Sequence, residues 1–303
     1  MPRLRPRKRR WPARCSPRGE QEWTVVGARQ RALRCSCSPR AELSWWSSFG
    51  EQRRTHLAER RRPLARATKD VDFLGRLDNS LENIERVVRE LCAAEVEPDA
   101  MVFDPATVKT ERIKEDADYE GVRVRFVALL GRARVTMQID VGFGDVVNPG
   151  VQSISYPALL DFPAPQLSGY PRETVVAEKF QAMVYLRTMN SRMKDFYDVW
   201  LLASQFAFDG KLLAQAIAAT FANRGTGIDA APIAFSPDFT EQSSTLAQWT
   251  AFRNRLPNAQ CPEKLSEVVT FLAEFLLPVA GACAQGASFE LGWTPCGPWA
   301  ASS

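Results

Sequence analysis

The chain has few of the side chains on which several common catalytic and metal sites depend. It contains one histidine, His56, among its 303 residues. A Ser-His-Asp triad or a multi-histidine metal site needs imidazole as base or ligand, so neither is expected. The seven cysteines include no Cys-x-x-Cys pair, which argues against a zinc ribbon or a disulfide framework. Carboxylates and lysines remain as candidate catalytic groups, and a reducing cytoplasm is the expected compartment.

The sequence also lacks an apolar run of the length that a membrane span needs. The longest run, residues 271–284, is interrupted by Glu274 and Pro278 and falls short of about 20 residues. With 45% apolar and 24% charged residues, the composition is that of a globular chain of one or two domains. We therefore expect no membrane partner.

Charge is distributed unevenly along the chain. Residues 1–67 hold 17 arginines and one lysine against five glutamates, a net charge of +13. The remaining 236 residues hold 21 basic and 30 acidic side chains, a net charge of −9. The basic segment, residues 1–67, shows no apolar periodicity beyond one helical turn, so we expect it to be irregular rather than a folded domain.

Three interpretations of the basic segment stay open. The arginines clustered in residues 1–10 fit an arm that binds nucleic acid, because clustered arginine neutralises phosphate. A targeting peptide would need an apolar or amphipathic stretch that is missing here. Translation from a wrong frame or start of a GC-rich gene would also give this patternless mixture, and we favour that third interpretation.

A regular pattern begins at residue 68 and predicts an α+β unit over residues 68–160. The alternation from Asp70 to Leu74 predicts a short strand with Asp70 and Asp72 on one face. Apolar residues at helical spacing then predict a helix that ends near Cys92. Further strands are expected over residues 122–129, 133–141 and 153–156, the first two as a hairpin around Leu130-Gly131-Arg132.

Residues 161–303 predict a helical domain. A proline-rich turn over residues 161–171 precedes it. Apolar spacing predicts helices over residues 172–187, 191–208, 210–223, 240–255 and 262–283, with a loop over residues 225–238. The aromatic segment Trp293–Trp299 predicts a tail that packs on the body.

Three carboxylates form the first candidate site. Asp70 and Asp72 project side by side, and Asp140 lies on the polar face of a neighbouring strand, so the three would repel one another unless a divalent cation neutralised them. Two Mg²⁺ ions held in this way can orient a nucleoside triphosphate, activate an attacking hydroxyl and stabilise the pyrophosphate leaving group. The spacing alone is a weak signal, because such an Asp-x-Asp is more often a solvated strand edge or turn.

The helical half holds a second candidate group. Lys179 lies on the apolar stripe between Val175 and Met183, where it either meets an anion or extends its ammonium to water along an apolar surface. Asp195 and Asp198 lie on one face of the following helix, and either could pair with Lys179. The alternative is an exposed acidic face on which Lys194 pairs with Asp198.

Four segments in this order carry a resemblance to a known family. They are "TKDVDFLG", "QIDVGFGD", "ETVVAEKFQAMVYL" and "NSRMKDFYDVWLLA", and the terminal "WTPCGPW" is similar to the ending of many members. The chain resembles the nucleotidyl transferase AbiEii/AbiGii toxin family over about residues 66–299. The resemblance implies a minimal polymerase-β-like nucleotidyltransferase core with a mixed β-sheet, followed by a C-terminal helical domain.

The resemblance also implies roles for individual residues. Asp70 and Asp72 match the metal-binding pair, with Asp140 as a third carboxylate, for Mg²⁺ or Mn²⁺. Lys179 matches the lysine that contacts the nucleotide, with Asp198 beside it. Asp195 matches an essential acidic residue. The implied partners are an NTP, an RNA acceptor such as tRNA, and a cognate antitoxin protein.

One expected element of the family is missing upstream of the Asp-x-Asp. Members carry a Gly-Gly-Ser/Thr loop there, whose backbone N–H groups and hydroxyl hold the triphosphate. Residues 55–66 contain no glycine, and Ser48-Phe-Gly50 is a poor substitute. A frameshift upstream of codon 68 would explain both this loss and the change of charge at residue 67.

Two functions follow from these observations. The favoured one is a toxin that transfers a nucleotide from an NTP to an RNA acceptor in a Mg²⁺-dependent reaction. The alternative is a non-catalytic protein that binds an antitoxin or, through its arginine-rich arm, nucleic acid. Mg²⁺-dependent consumption of NTP separates them.

Overall fold

The computed structural model describes residues 51–52, 71–95, 100–116, 119–155, 166–256 and 261–301. Asp70 and nearly all of the basic segment lie outside the described residues, so what the sequence predicts for them stays a prediction. The described chain forms a mixed β-sheet followed by the helical half, residues 172–301, which confirms the predicted α+β class.

The main sheet contains seven strands in the described part of the chain. They are β1 (Glu51–Gln52), β2 (Val71–Gly75), β3 (Met101–Asp116), β4 (Tyr119–Leu130), β5 (Ala133–Phe143), β6 (Gln152–Ser155) and β7 (Gln166–Gly169). Their order is β3-β4-β5-β2-β1-β7-β6. The pairs β2–β5 and β1–β7 are parallel and the other neighbours are antiparallel. The Asp-x-Asp strand therefore lies directly beside the second strand of the hairpin.

Helix α1 (Leu81–Ala93) covers one face of this sheet, close to the range that its apolar spacing predicts. Its buried residues are Ile84, Val87 and Val88. They pack with buried residues of the sheet, among them Phe73 and Val141. This first core holds β2 and β5 together from one side.

The β4–β5 hairpin has a tighter turn than the sequence suggests. Leu130 pairs with Ala133, so only Gly131 and Arg132 form the turn. Gly131 has a φ of +58°, which glycine adopts without steric cost. The turn length fixes the register of the two strands. The hairpin itself is confirmed, with β5 extending two residues further than expected, to Phe143.

Three strands of the main sheet lie where none is predicted, and one of them, β1, lies within the segment that is expected to be irregular. β3 contains Pro105 and many charged residues, which argue against a central strand, but it forms the edge of the sheet. Its register shifts between Asp104 and Lys109, and this irregularity accommodates the proline. β7 lies inside the proline-rich turn predicted over residues 161–171, so the sheet continues into the range assigned to the helical domain.

The helical half contains the predicted helices with shifted ends. They are α2 (Arg172–Leu186), α3 (Met193–Gln205), α4 (Gly210–Asn223), α5 (Pro237–Thr240), α6 (Ser243–Arg253) and α7 (Leu265–Ala284). The helix predicted over residues 240–255 is divided into α5 and α6, and α5 begins inside the predicted loop. Short strands β8 (Phe208–Asp209), β9 (Leu291–Trp293) and β10 (Trp299–Ala301) form a small second sheet that was not predicted.

The aromatic tail packs on the helical half as predicted. Trp293 is buried and donates its indole N–H to the carbonyl of Ala203 at 2.8 Å. Trp299 stacks on Phe275 and donates to the carbonyl of the same residue at 2.9 Å. These contacts fix the end of the chain against α3 and α7.

Helix α7 is long and apolar enough to cross a membrane, judged by length and composition alone. This corrects the expectation that Pro278 interrupts the apolar run, because the proline lies inside the helix. The buried residues of α7 are Leu265, Val268, Val269, Leu272, Phe275, Leu276, Val279 and Ala280. One face of the helix is thus covered by the protein itself, as in a core helix.

Candidate active site

Asp72 and Asp140 lie side by side at the centre of the main sheet. They are register partners on the parallel strands β2 and β5. Paired residues of neighbouring strands project to the same face, with the strands roughly 4.8 Å apart. Both residues are buried, with 5% and 7% of their surface exposed. The sheet therefore brings together two of the three predicted carboxylates, and the third, Asp70, lies outside the described residues.

These carboxylates lie on the face of the sheet that the helical half covers. Because side chains alternate along a strand, Asp72 and Leu74 share one face of β2 and Phe73 occupies the other. Leu74 is buried in the core of the helical half, whereas Phe73 packs in the core beneath α1. The two acidic groups are thus directed towards the helices that carry the second candidate group.

Arg123, on the neighbouring strand β4, forms an ion pair with the carboxylate of Asp140. Its Nε donates to Oδ1 at 2.8 Å and its Nη2 donates to Oδ2 at 2.7 Å. Such a two-point pair of planar groups is strong and fixes the carboxylate plane. The positive charge of Arg123 also offsets the repulsion between Asp140 and Asp72. Asp140 is therefore buried and paired on the polar face of β5.

The sequence did not indicate Arg123, because the hairpin register that it predicts differs by one residue from the observed register. The three-residue loop expected at residues 130–132 would place Val122 opposite Asp140, whereas the observed two-residue turn places Arg123 there. Gly131 could have indicated the shorter turn, since two-residue hairpin turns favour glycine at a position of positive φ.

The donor chemistry of this pair fits a divalent cation of the Mg²⁺ type. Such cations prefer carboxylate oxygens and are commonly bound through one or two protein carboxylates together with substrate phosphates. Within residues 71–301, as far as they are described, no three acidic, histidine or cysteine side chains cluster in a way that could hold a metal. Asp72 and Asp140 would then provide two ligands, and Asp70 is the predicted third.

Lys179 of α2 pairs with both aspartates of α3. Its Nζ donates to Oδ1 of Asp195 at 2.7 Å and to Oδ2 of Asp198 at 2.9 Å. The lysine side chain is 11% exposed, and the aspartates are 5% and 0% exposed. The ammonium therefore meets carboxylates on the stripe between α2 and α3 instead of extending to water. The alternative of an exposed acidic face is wrong, because Asp195 and Asp198 are both buried.

A second cation, Arg192, completes this group. Its Nε lies 3.2 Å from Oδ2 of Asp195, and its side chain is 35% exposed. Burial alone would raise the pKa of Asp195, but the charges of Lys179 and Arg192 and the hydrogen bond from Lys179 outweigh it and lower that pKa. Asp195 is therefore ionised at neutral pH and lies between two cations, the largely buried Lys179 and the partly exposed Arg192.

The two candidate groups lie on different elements that the fold holds together. Asp72 and Asp140 are on adjacent strands, and Lys179, Asp195 and Asp198 are on adjacent helices. The loop after β5 joins them, because Asp145 in this loop lies 3.3 Å from Nη2 of Arg224, at the end of α4. Arg224 also contacts α2, and nothing in the sequence pattern marks this long-range contact.

Comparison with known families gives one match over most of the chain. The sequence model of the family described as nucleotidyl transferase AbiEii toxin of a type IV toxin–antitoxin system matches residues 55–270. The matched range contains all six candidate site residues. It also includes the last thirteen residues of the basic segment. No curated protein matches the chain.

Solved structures with a similar overall arrangement are distant in sequence. JHP933 from Helicobacter pylori is 14% identical, with 86% of this chain and 92% of that chain covered and a TM-score of 0.46. The nucleotidyltransferase toxin MenT4 from Mycobacterium tuberculosis is 16% identical, with 91% and 88% covered and a TM-score of 0.48. Neither likeness carries the assignment, which rests on the family match.

Proposed function

We propose that this chain, which belongs to the nucleotidyl transferase AbiEii toxin family of type IV toxin–antitoxin systems, moves a nucleotide from an NTP to an RNA acceptor. Membership makes the chain a nucleotidyltransferase toxin with an antitoxin counterpart. The finer proposal is that the acceptor is tRNA and that the reaction depends on Mg²⁺ or Mn²⁺.

The observation that carries the proposal is the register pairing of Asp72 with Asp140. Arg123 compensates the charge of Asp140, and a divalent cation bound between the two carboxylates would lower their mutual repulsion further. Asp72 and Asp140 lie in the centre of the sheet and face the helical half. A site that binds a triphosphate through a cation requires two carboxylates placed in this way. The alternative that the sequence left open is a solvated strand edge. Such an edge would leave the carboxylates of Asp72 and Asp140 exposed.

Each group has a role in the proposed reaction. Asp70, Asp72 and Asp140 would hold one or two divalent cations, which when bound polarise the phosphates and activate the attacking hydroxyl. Lys179 supplies positive charge to the triphosphate in the transition state. Asp195 and Asp198 orient its ammonium, which has three donors and can keep its aspartates while it binds a phosphate oxygen.

A second candidate function is a non-catalytic protein that binds an antitoxin or nucleic acid. The absence of glycine from residues 55–66 favours it, since the expected backbone cradle for the triphosphate is then missing. In that case the fold would persist without turnover. Incorporation of nucleotide into RNA distinguishes the two functions.

The test is nucleotide incorporation by the full-length chain. The protein is incubated with total tRNA and each of the four α-labelled NTPs, with Mg²⁺, Mn²⁺ or EDTA. We expect label in RNA with at least one NTP, and its loss in EDTA. Removing one preorganised catalytic group typically costs about 10²–10³ in rate, so Asp72→Asn and Asp140→Asn should each lose activity on that scale.

Asp238→Asn is the matched control, because Asp238 is exposed on α5 in the helical half. It should label RNA like the parent. A folded parent that labels no RNA with any NTP would contradict the proposed activity and favour the binding protein. Label that persists in both Asp72→Asn and Asp140→Asn would contradict the assigned site.

A further inference from the structure

A buried polar cluster ties the loop after β5 to the helical half. Nη1 of Arg224 donates to Oε1 of Gln181 at 2.9 Å, and Nη2 donates to Oδ1 of Asp145 at 3.3 Å. Gln181 also donates to the hydroxyl of Thr226 at 2.8 Å. The side chains of Arg224 and Asp145 are 15% and 2% exposed. One guanidinium therefore bridges the sheet side and the helix side of the molecule.

The end of α4 places Arg224 for this contact. Gly225 has a φ of +56°. The N–H of Gly225 donates to the carbonyl of Ala222, and the N–H of Thr226 donates to that of Phe221. These two bonds are the Schellman arrangement that ends many helices at a glycine. Arg224 is thus the last residue before the chain turns, where a cation also interacts favourably with the helix dipole.

The partners of Arg224 lie on the two segments of chain that carry the proposed site. Asp145 follows Asp140 by five residues and lies in the loop after β5. On α2, Gln181 follows Lys179 by two residues, and Glu178, whose carboxylate is 4.0 Å from Arg224, precedes Lys179 directly. Arg224 therefore contacts the loop that follows the strand of Asp140 on one side and the helix that carries Lys179 on the other.

We propose that Arg224 is a positioning residue that fixes α2, and with it Lys179, relative to the strand that carries Asp140. The inference rests on the proposed function, because the distance between these two groups matters only if both act on one nucleotide. Arg224 would act through its contacts with Asp145, Gln181 and Glu178.

Other bonds keep this region folded when Arg224 is replaced. Asn223 donates to the carbonyl of Gly144 at 3.1 Å. The hydroxyl of Thr174 donates to the carbonyl of Asn148 at 2.7 Å and accepts from its N–H at 3.2 Å. The loop thus stays attached at both ends. Loss of Arg224 should shift the loop and α2 relative to each other without detaching them.

The experiment measures the full-length chain and the variants Arg224→Gln, Arg224→Lys and Asp145→Asn. A misplacement of about 1 Å can cost about 10² in rate, so we expect kcat per folded molecule to fall on that scale in Arg224→Gln, with little change in the KM for NTP. Arg224→Lys keeps the charge and should recover part of kcat. The double variant Asp145→Asn/Arg224→Gln should lose no more than the worse single variant, because both act through one contact.

Hydrogen–deuterium exchange provides a readout that does not depend on turnover. Arg224→Gln should exchange faster in residues 144–150 and 178–183 than the parent. Arg255→Gln is the control, since Arg255 is exposed and its side-chain Nε donates to the carbonyl of Ala251, one helical turn earlier. It should match the parent in exchange and in kcat.

The outcomes separate this inference from the function on which it rests. An inactive folded parent contradicts the proposed function. An active parent with unchanged kcat in Arg224→Gln overturns the inference alone, and so does unchanged exchange in both segments. A fall in kcat that is explained entirely by a smaller folded fraction would assign Arg224 a structural role only, which also overturns it.

Discussion

The buried group around Lys179 makes a prediction about stability that is independent of catalysis. In Lys179→Ala, Asp195 and Asp198 lose the ammonium that each contacts within 3 Å. Asp198 is fully buried, so water cannot replace that charge without a structural change. Removing one partner of a buried ion pair typically costs about 3–5 kcal/mol, because an uncompensated charge stays behind. At about 2–4 °C per kcal/mol for a chain of this size class, the melting temperature should fall by about 6–20 °C.

A neutralised variant separates the lost charge from the lost packing. Lys179→Met combined with Asp195→Asn and Asp198→Asn keeps similar volumes and removes all three charges. Removing all the charges of a buried ion pair can be nearly neutral for stability, and Arg192, whose side chain is 35% exposed, can stay hydrated. This variant should therefore recover part of the loss, while the two buried amides left without the lysine donor keep it below the parent. It should still fail to label RNA, because the cation for the triphosphate is absent. In this variant the melting temperature should partly recover while the labelling of RNA does not.

Differential scanning fluorimetry and circular dichroism measure the melting temperatures. Lys211→Ala is the control lysine, since its side chain is 57% exposed and its partner Glu290 is 61% exposed. Exposed pairs contribute about 0–1 kcal/mol, so this variant should melt close to the parent. If Lys179→Ala also melts close to the parent, the reasoning from the buried ion group is wrong. If the neutralised variant is less stable than Lys179→Ala, packing dominates and the charge argument fails.

Three further predictions concern acid stability, the tail and the gene. The pKa of Asp195 is lowered by folding, so its contribution to stability is present above the ordinary value of 3.8 and is lost as the pH falls below it. The melting temperature of Asp195→Asn should therefore fall less steeply below pH 3.8 than that of the parent, and equal slopes would contradict the assignment. Trp293→Ala should cost about 3–5 kcal/mol in a denaturant titration, because the indole is buried among aromatic rings, and a loss below about 1 kcal/mol would show that the tail is dispensable. The family match includes residues 55–67, so the frame change expected upstream of codon 68 should lie upstream of codon 55. A Gly-Gly-Ser/Thr stretch should be encoded there in another reading frame, and patternless frames interrupted by stop codons would instead favour a genuine basic arm.

The sequence predicted those parts of the fold that depend on local pattern. Apolar spacing located α1 and the helices of the helical half within a few residues, because burial of one helix face sets a period of 3.6. Alternation located β2 and β5, and the order of elements gave the α+β class. β3 was not predicted, because an edge strand tolerates Pro105 and charged residues that a central strand does not.

The candidate site was predictable only as far as its residues share an element or a motif. Helical spacing placed Asp195 and Asp198 on one face, but the sequence left open which of them Lys179 would meet, and the structure pairs it with both. Arg123 was missed because a single residue of hairpin register decides what lies opposite Asp140. Arg224 was missed because its partners are 43 and 79 residues away in sequence.

The central claim is that the paired carboxylates Asp72 and Asp140 bind the cation that carries the nucleotide. Isothermal titration of Mn²⁺ into the full-length chain, with and without a non-hydrolysable NTP analogue, tests it without knowledge of the acceptor RNA. We predict Mn²⁺ binding that the analogue strengthens in the parent and in the exposed control Asp238→Asn, and its loss in Asp72→Asn and Asp140→Asn. Equal Mn²⁺ affinity in all four proteins would contradict the claim.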